Sequence, residues 1–193
     1  MIPRSAGDVD ALAGEVRRQS AEVAGIFGEL PDEVTRWRPD ETRWSLAGHV
    51  AHLAIINRAY LDVMEEKILV ARARDDAGGP FRHPRITTRF VAMMEPPPAR
   101  RVKTFRSMVP DPDTEGRSAV DDFTALQARL EGLLDRSGGL DLGRVRFGSP
   151  FLPLLRFSLG TGFAMILAHN RRHLWLMREL MRHPDFPACP RVQ

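Results

Sequence analysis

Four stretches of this chain carry apolar residues at spacings of three, four and seven, and a proline or glycine closes each of them. That period puts side chains on one face of an α-helix, whereas a strand changes face at every residue. The first stretch runs from Asp8 to Leu30, with Val9, Leu12, Val16, Val23, Ile26, Phe27 and Leu30 on its stripe, and Pro31 stops it. The second opens at Ser45, a good N-cap residue, and runs to about Arg74. Leu46, His49, His52, Leu53, Ile56, Ala59, Tyr60, Val63 and Met64 share its face. The third follows Ser118, read as its cap, and carries Phe123, Leu126, Leu130, Leu133 and Leu134 up to Ser137-Gly138-Gly139. The fourth begins near Ser158 and ends at about His183, before Pro184. Gly162, Phe163, Ile166, His169, Asn170, His173, Met177, Leu180 and Met181 lie on one side of it.

No run alternates with a strand's period, so the expected fold is all-α, a four-helix bundle formed by residues 1–193 as a single domain. Two connections are long. Residues 75–117 contain seven prolines and read as a stiffened crossover with a short helical turn around Phe90 to Met94, and residues 137–157 form the other.

Composition excludes several classes. The single cysteine, Cys189, permits no internal disulfide and no thiolate metal site. No stretch approaches the roughly 18 apolar residues of a membrane span. The N-terminal MIPRSAGDVDALAGEV has no apolar signal region, and these features together give the expectation of a cytoplasmic protein. Basic residues outnumber acidic ones by 28 to 25, too small an excess to imply a polyanion partner. The densest clusters, Arg100, Arg101 and Lys103, and Arg171 with Arg172, are not interleaved with aromatics, so no nucleic-acid surface is expected.

The chemistry rests on histidine. His169 and His173 are four apart, which sets two imidazoles about 5–6 Å from each other on one helical face and lets both ligate one ion. Both lie on an apolar stripe, where an unpaired polar ring is costly. His52 lies on the apolar stripe of the second helix, with His49 one turn before it, and a bundle brings such faces together. Gly162, two turns before His169, reads as leaving a void beside the site. Three imidazoles suit Zn²⁺, Ni²⁺ or Fe²⁺ and leave a coordination position open for water or a thiolate. On spacing alone, core histidines satisfied by Asn57, Asn170 or backbone carbonyls account for the pattern equally well. His83 and His183, beside prolines, are expected to be solvent-exposed and without a role.

Leu30-Pro31-Asp32-Glu33, Trp37-Arg38-Pro39, Arg43-Trp44-Ser45-Leu46, His52-Leu53, Phe157-Ser158-Leu159 and His169-x-x-x-His173-Leu174 occur in an order that resembles the DinB/YfiT-like family over about residues 8–183. The resemblance implies a bundle with crossed connections and a metal site of His52, His169 and His173, leaving His49 outside the triad. Members often carry glutamine three residues after the last histidine; here that position is Leu176. Relatives include thiol S-transferases, a thiol-dependent maleylpyruvate isomerase and proteins called metal-dependent hydrolases. The resemblance therefore implies a divalent-metal enzyme acting on a small molecule, with a low-molecular-weight thiol as co-substrate. Hydrolysis, or a non-catalytic stress-related bundle, is the alternative. His49, Tyr60 and Asn170 are candidate substrate contacts. The family's habit of pairing, with Trp175 on the Arg-rich back of the fourth helix, suggests a homodimer.

Overall fold

In the computed structural model, residues 6–74, 85–98, 104–152 and 154–187 are described. Among the described residues, six helices and one short strand pair form in chain order: α1 (Ala6–Gly28), α2 (Asp32–Arg36), α3 (Leu46–Ala73), α4 (Arg85–Ala92), α5 (Gly116–Arg136), β1 (Arg146–Gly148), β2 (Arg156–Ser158) and α6 (Leu159–Met181). A single 3-10 turn, Arg106–Met108, precedes α5. Cys189, His83 and the Arg100 to Lys103 cluster lie outside the described residues.

The long helices α1, α3, α5 and α6 make the bundle expected from the apolar stripes. Each of α1 and α3 packs on both α5 and α6. The first two long helices therefore sit across the diagonal from each other. Among the described residues, no helix is long and apolar enough to cross a membrane.

Local chemistry sets most of the helix ends. Ser45 accepts the Gly48 N–H at 3.0 Å and so starts α3; Ser158 does the same for α6 through Thr161. The expected Ser118 cap is incorrect: α5 begins at Gly116, and Ser118 lies inside its first turn. The cap comes from another element, since Asp32 on α2 accepts the Gly116 N–H at 2.9 Å. A side chain at Gly116 would collide with Thr35, so this close approach of α2 requires glycine.

The linkers are more structured than their sequence suggests. The 75–117 crossover contains α4, which packs on α6. Just beyond α4, Glu95 binds the Arg171 guanidinium at 2.9 Å, and Arg171 also holds Glu15 on α1 at 2.9 Å. This basic pair is thus tied into the bundle in part. Beside the helices, β1 and β2 form a short antiparallel pair with Phe147 opposite Phe157. Three residues per strand are too few to show alternation, but both phenylalanines are buried while Arg146, Gly148 and Arg156 face outward.

Gly162 also differs from its sequence reading. It leaves no void: a Cβ there would sit 2.7 Å from Phe147 Cζ and 3.0 Å from Met64 Sδ, because the Phe147 ring fills the space. Gly162→Ala should therefore destabilise the fold by about 1–3 kcal/mol through overpacking, read as a lower midpoint in urea. An unchanged midpoint would show that Phe147 moves aside at no cost. Two other expectations shift: Trp175 is half-buried rather than exposed, and so is His183, which packs on Trp37 with ring centroids 5.6 Å apart.

Candidate metal centre

α3 and α6 bring the histidines together. The Ser45 cap fixes where α3 begins, and from there His49 and His52 fall one turn apart on the buried face, 8% and 3% exposed. On α6, His173 is 5% exposed, while His169 keeps some solvent-accessible surface. His52, His169 and His173 each offer a ring nitrogen, and these three atoms lie within 4.8 Å of one another. The ring centroids are separated by 5.2 Å (His52 to His169), 4.7 Å (His52 to His173) and 4.6 Å (His169 to His173).

The hydrogen bonds assign nitrogens. A carbonyl only accepts, so His52 donates from Nδ1 to the Met108 oxygen at 2.7 Å, and the lone pair of His52 is on Nε2. The 3-10 turn before α5 thereby orients a residue on α3. Nδ1 of His173 is 3.0 Å from Nδ1 of His49. His169 has a buried Nδ1 with no hydrogen-bond partner. An orphaned buried ring nitrogen costs free energy unless something binds it; beside two other imidazoles, this atom fits the part of a metal ligand.

Burial keeps these rings neutral. It pushes His49 down to about 3, helped by the nearby His52 and Arg43. It pushes His169 down to about 3, helped by His52 and Arg172. His173 is held well below the ordinary imidazole range by burial, and then by the other histidines and Arg172. Burial lowers His52 as well, partly offset by its bond to Met108. Neutral imidazoles have free lone pairs at physiological pH, which is the form that ligates a cation.

Trp44 covers one side of the cluster. Its ring centroid is 4.7 Å from that of His52, 5.6 Å from His49 and 5.9 Å from His173. Spacing arguments did not single out this residue as part of the site; its place immediately before the Ser45 cap was the available signal. Two cavities, of about 280 and 250 Å³, lie elsewhere: one between the end of α3 and β1, the other between α3 and α5 beside Pro110 to Thr114.

The remaining candidates have other partners. The Tyr60 hydroxyl meets Ser149 at 3.2 Å, and its ring packs among Phe147, Phe151 and Phe157. Asn170 donates to Gln19 at 2.9 Å and to Gln127 at 3.3 Å, and accepts from Asn57 at 3.3 Å. Gln19, Asn57, Gln127 and Asn170 are each no more than 1% exposed. One amide from each long helix thus meets the others in the middle of the bundle. Gln19, between Arg18 and Ser20, and Gln127 were not singled out from the sequence.

Three neutral imidazoles converging from two helices of a four-helix bundle fit a protein that binds a metal ion. The chain belongs to the DinB superfamily, whose family profile, DinB_2, matches residues 15–177 and so spans all three histidines. Comparison with curated proteins and with solved structures gives no match.

Proposed function

We propose that this chain is a divalent-metal-dependent enzyme, a thiol S-transferase, whose ion is held by His52, His169 and His173. The observation that carries the reading is the buried, unpartnered Nδ1 of His169 beside two imidazoles whose other nitrogens are engaged. A zinc, nickel or iron(II) ion bound there would supply a Lewis-acid position that stabilises a thiol as thiolate, its nucleophilic form.

The surrounding charges favour an anionic ligand over neutral water. The three imidazoles are neutral, and the charged side chains acting on the cluster are Arg43 and Arg172, both cationic. Nothing in this set offsets a divalent charge, so an incoming thiolate would do so. Hydrolysis usually uses a carboxylate base near the metal. Asp62 and Glu65 on α3 are instead committed to Arg129, and Glu65 also to Arg136. Trp44 covers His49, His52 and His173, and we place the approach of a small-molecule thiol on the side of His169, a residue that is only half-buried.

The test is a titration of cobalt-substituted protein with glutathione, mycothiol, bacillithiol and coenzyme A. A bound sulfur is expected to add an intense charge-transfer band, and binding should strengthen as pH rises toward the thiol pKa of about 8.5. Turnover of simple esters or amides with no thiol-dependent band would replace this reading with a hydrolase.

A further inference from the structure

We propose that His49 is a positioning residue for this centre: its Nδ1 accepts the Nδ1–H of His173, so that His173 presents Nε2 to the ion. The inference rests on the metal reading given above and assigns His49 neither a ligand's nor a substrate-binding role.

Nδ1 of His49 and Nδ1 of His173 are 3.0 Å apart in a buried setting, so one must donate and the other accept. Were His49 the donor, His173 would spend its Nδ1 lone pair on that bond and carry its own proton on Nε2. No lone pair would remain for an ion. With His173 as donor, its Nε2 is free, and His49 carries its proton on Nε2. Only the second arrangement gives a third ligand. Ligating histidines usually donate their other ring N–H to an acceptor that fixes tautomer and orientation. His52 does so through the Met108 carbonyl, and His49 is the corresponding acceptor for His173. Trp44 packs edge-on against the His49 ring and stacks near His173, which holds both rings in place. The His49-x-x-His52 pair on α3 is thus divided between one orienting group and one ligand.

The test uses histidine-labelled ¹⁵N protein loaded with zinc. Long-range proton–nitrogen spectra should show His173 metal-bound at Nε2 and protonated at Nδ1, with His49 metal-free and protonated at Nε2. A metal-bound nitrogen on His49, or His173 coordinated through Nδ1, overturns the proposal. In parallel, His49→Leu should weaken zinc affinity by about 10–100-fold in chelator competition. His49→Asn, which returns an acceptor oxygen near the former Nδ1, should recover most of that loss. Equal losses in both variants would count against positioning. If His49→Leu fails to fold, the wild-type spectra still decide. A wild-type chain that takes up no ion sinks the metal reading and this inference together; one that takes it up with His49 as a ligand sinks this inference alone.

Discussion

His169→Ala is expected to lower divalent-metal affinity by roughly a hundredfold or more. Protein zinc sites bind with about 10–16 kcal/mol spread over four ligands, so one lost ligand removes on the order of 3 kcal/mol. His169 should be the most damaging position to change, because its buried Nδ1 has no other partner to retain it. His52→Ala and His173→Ala should approach the same loss, since each removes one member of the group whose nitrogens lie within 4.8 Å. Elemental analysis after dialysis against a weak chelator reads this directly. Equal metal in the wild type and all three variants would remove the centre from the account.

The second large effect lies in the bundle rather than at the ion. Asn170→Leu, which keeps the branched shape of the side chain, should destabilise the fold by about 3 kcal/mol or more. It strips a donor from Gln19 and from Gln127 and an acceptor from Asn57, all buried, and a buried polar group left unpaired costs about 1–3 kcal/mol. For a chain of this length that lowers Tm by roughly 6–12 °C. Asn57→Leu should cost less, because the Asn57 Oδ1 already lacks a partner. Thermal unfolding of the two variants side by side decides the matter; if Asn170→Leu melts within a degree or two of the wild type, the four amides do not act as a network. The layer also bears on the centre, since Asn170 is next to His169 and a weakened register between α3 and α6 would loosen the ligand set.

What could be read in the sequence was whatever one element determines alone. The 3.6-residue stripes, the Ser45 cap and the pairing of His169 with His173 on one face are local, and each is found where the periodicity puts it. Apart from the meeting of His52 with His169 and His173, features requiring two elements were not legible. The α5 cap comes from Asp32, more than eighty residues away in sequence. The space at Gly162 is filled by Phe147 from a strand too short to announce itself. The amide quartet needs one polar residue from each long helix, and although Asn170 falls on an apolar stripe, nothing in α6 alone shows that Gln19, Asn57 and Gln127 meet it. His49 is an intermediate case: periodicity put it on the buried face, but only the packing of α6 against α3 gives it His173 as a partner.

The central claim is that three imidazoles, from His52, His169 and His173, hold one divalent ion and leave a position for a further ligand. X-ray absorption at the zinc edge of the loaded wild-type protein tests it most directly. The expected first shell contains three imidazole nitrogens at about 2.0–2.1 Å and one oxygen donor, with the oxygen replaced by sulfur at about 2.3 Å when the productive thiol is added. A shell of four imidazoles unaffected by any thiol, or one of oxygen donors alone, would contradict the account.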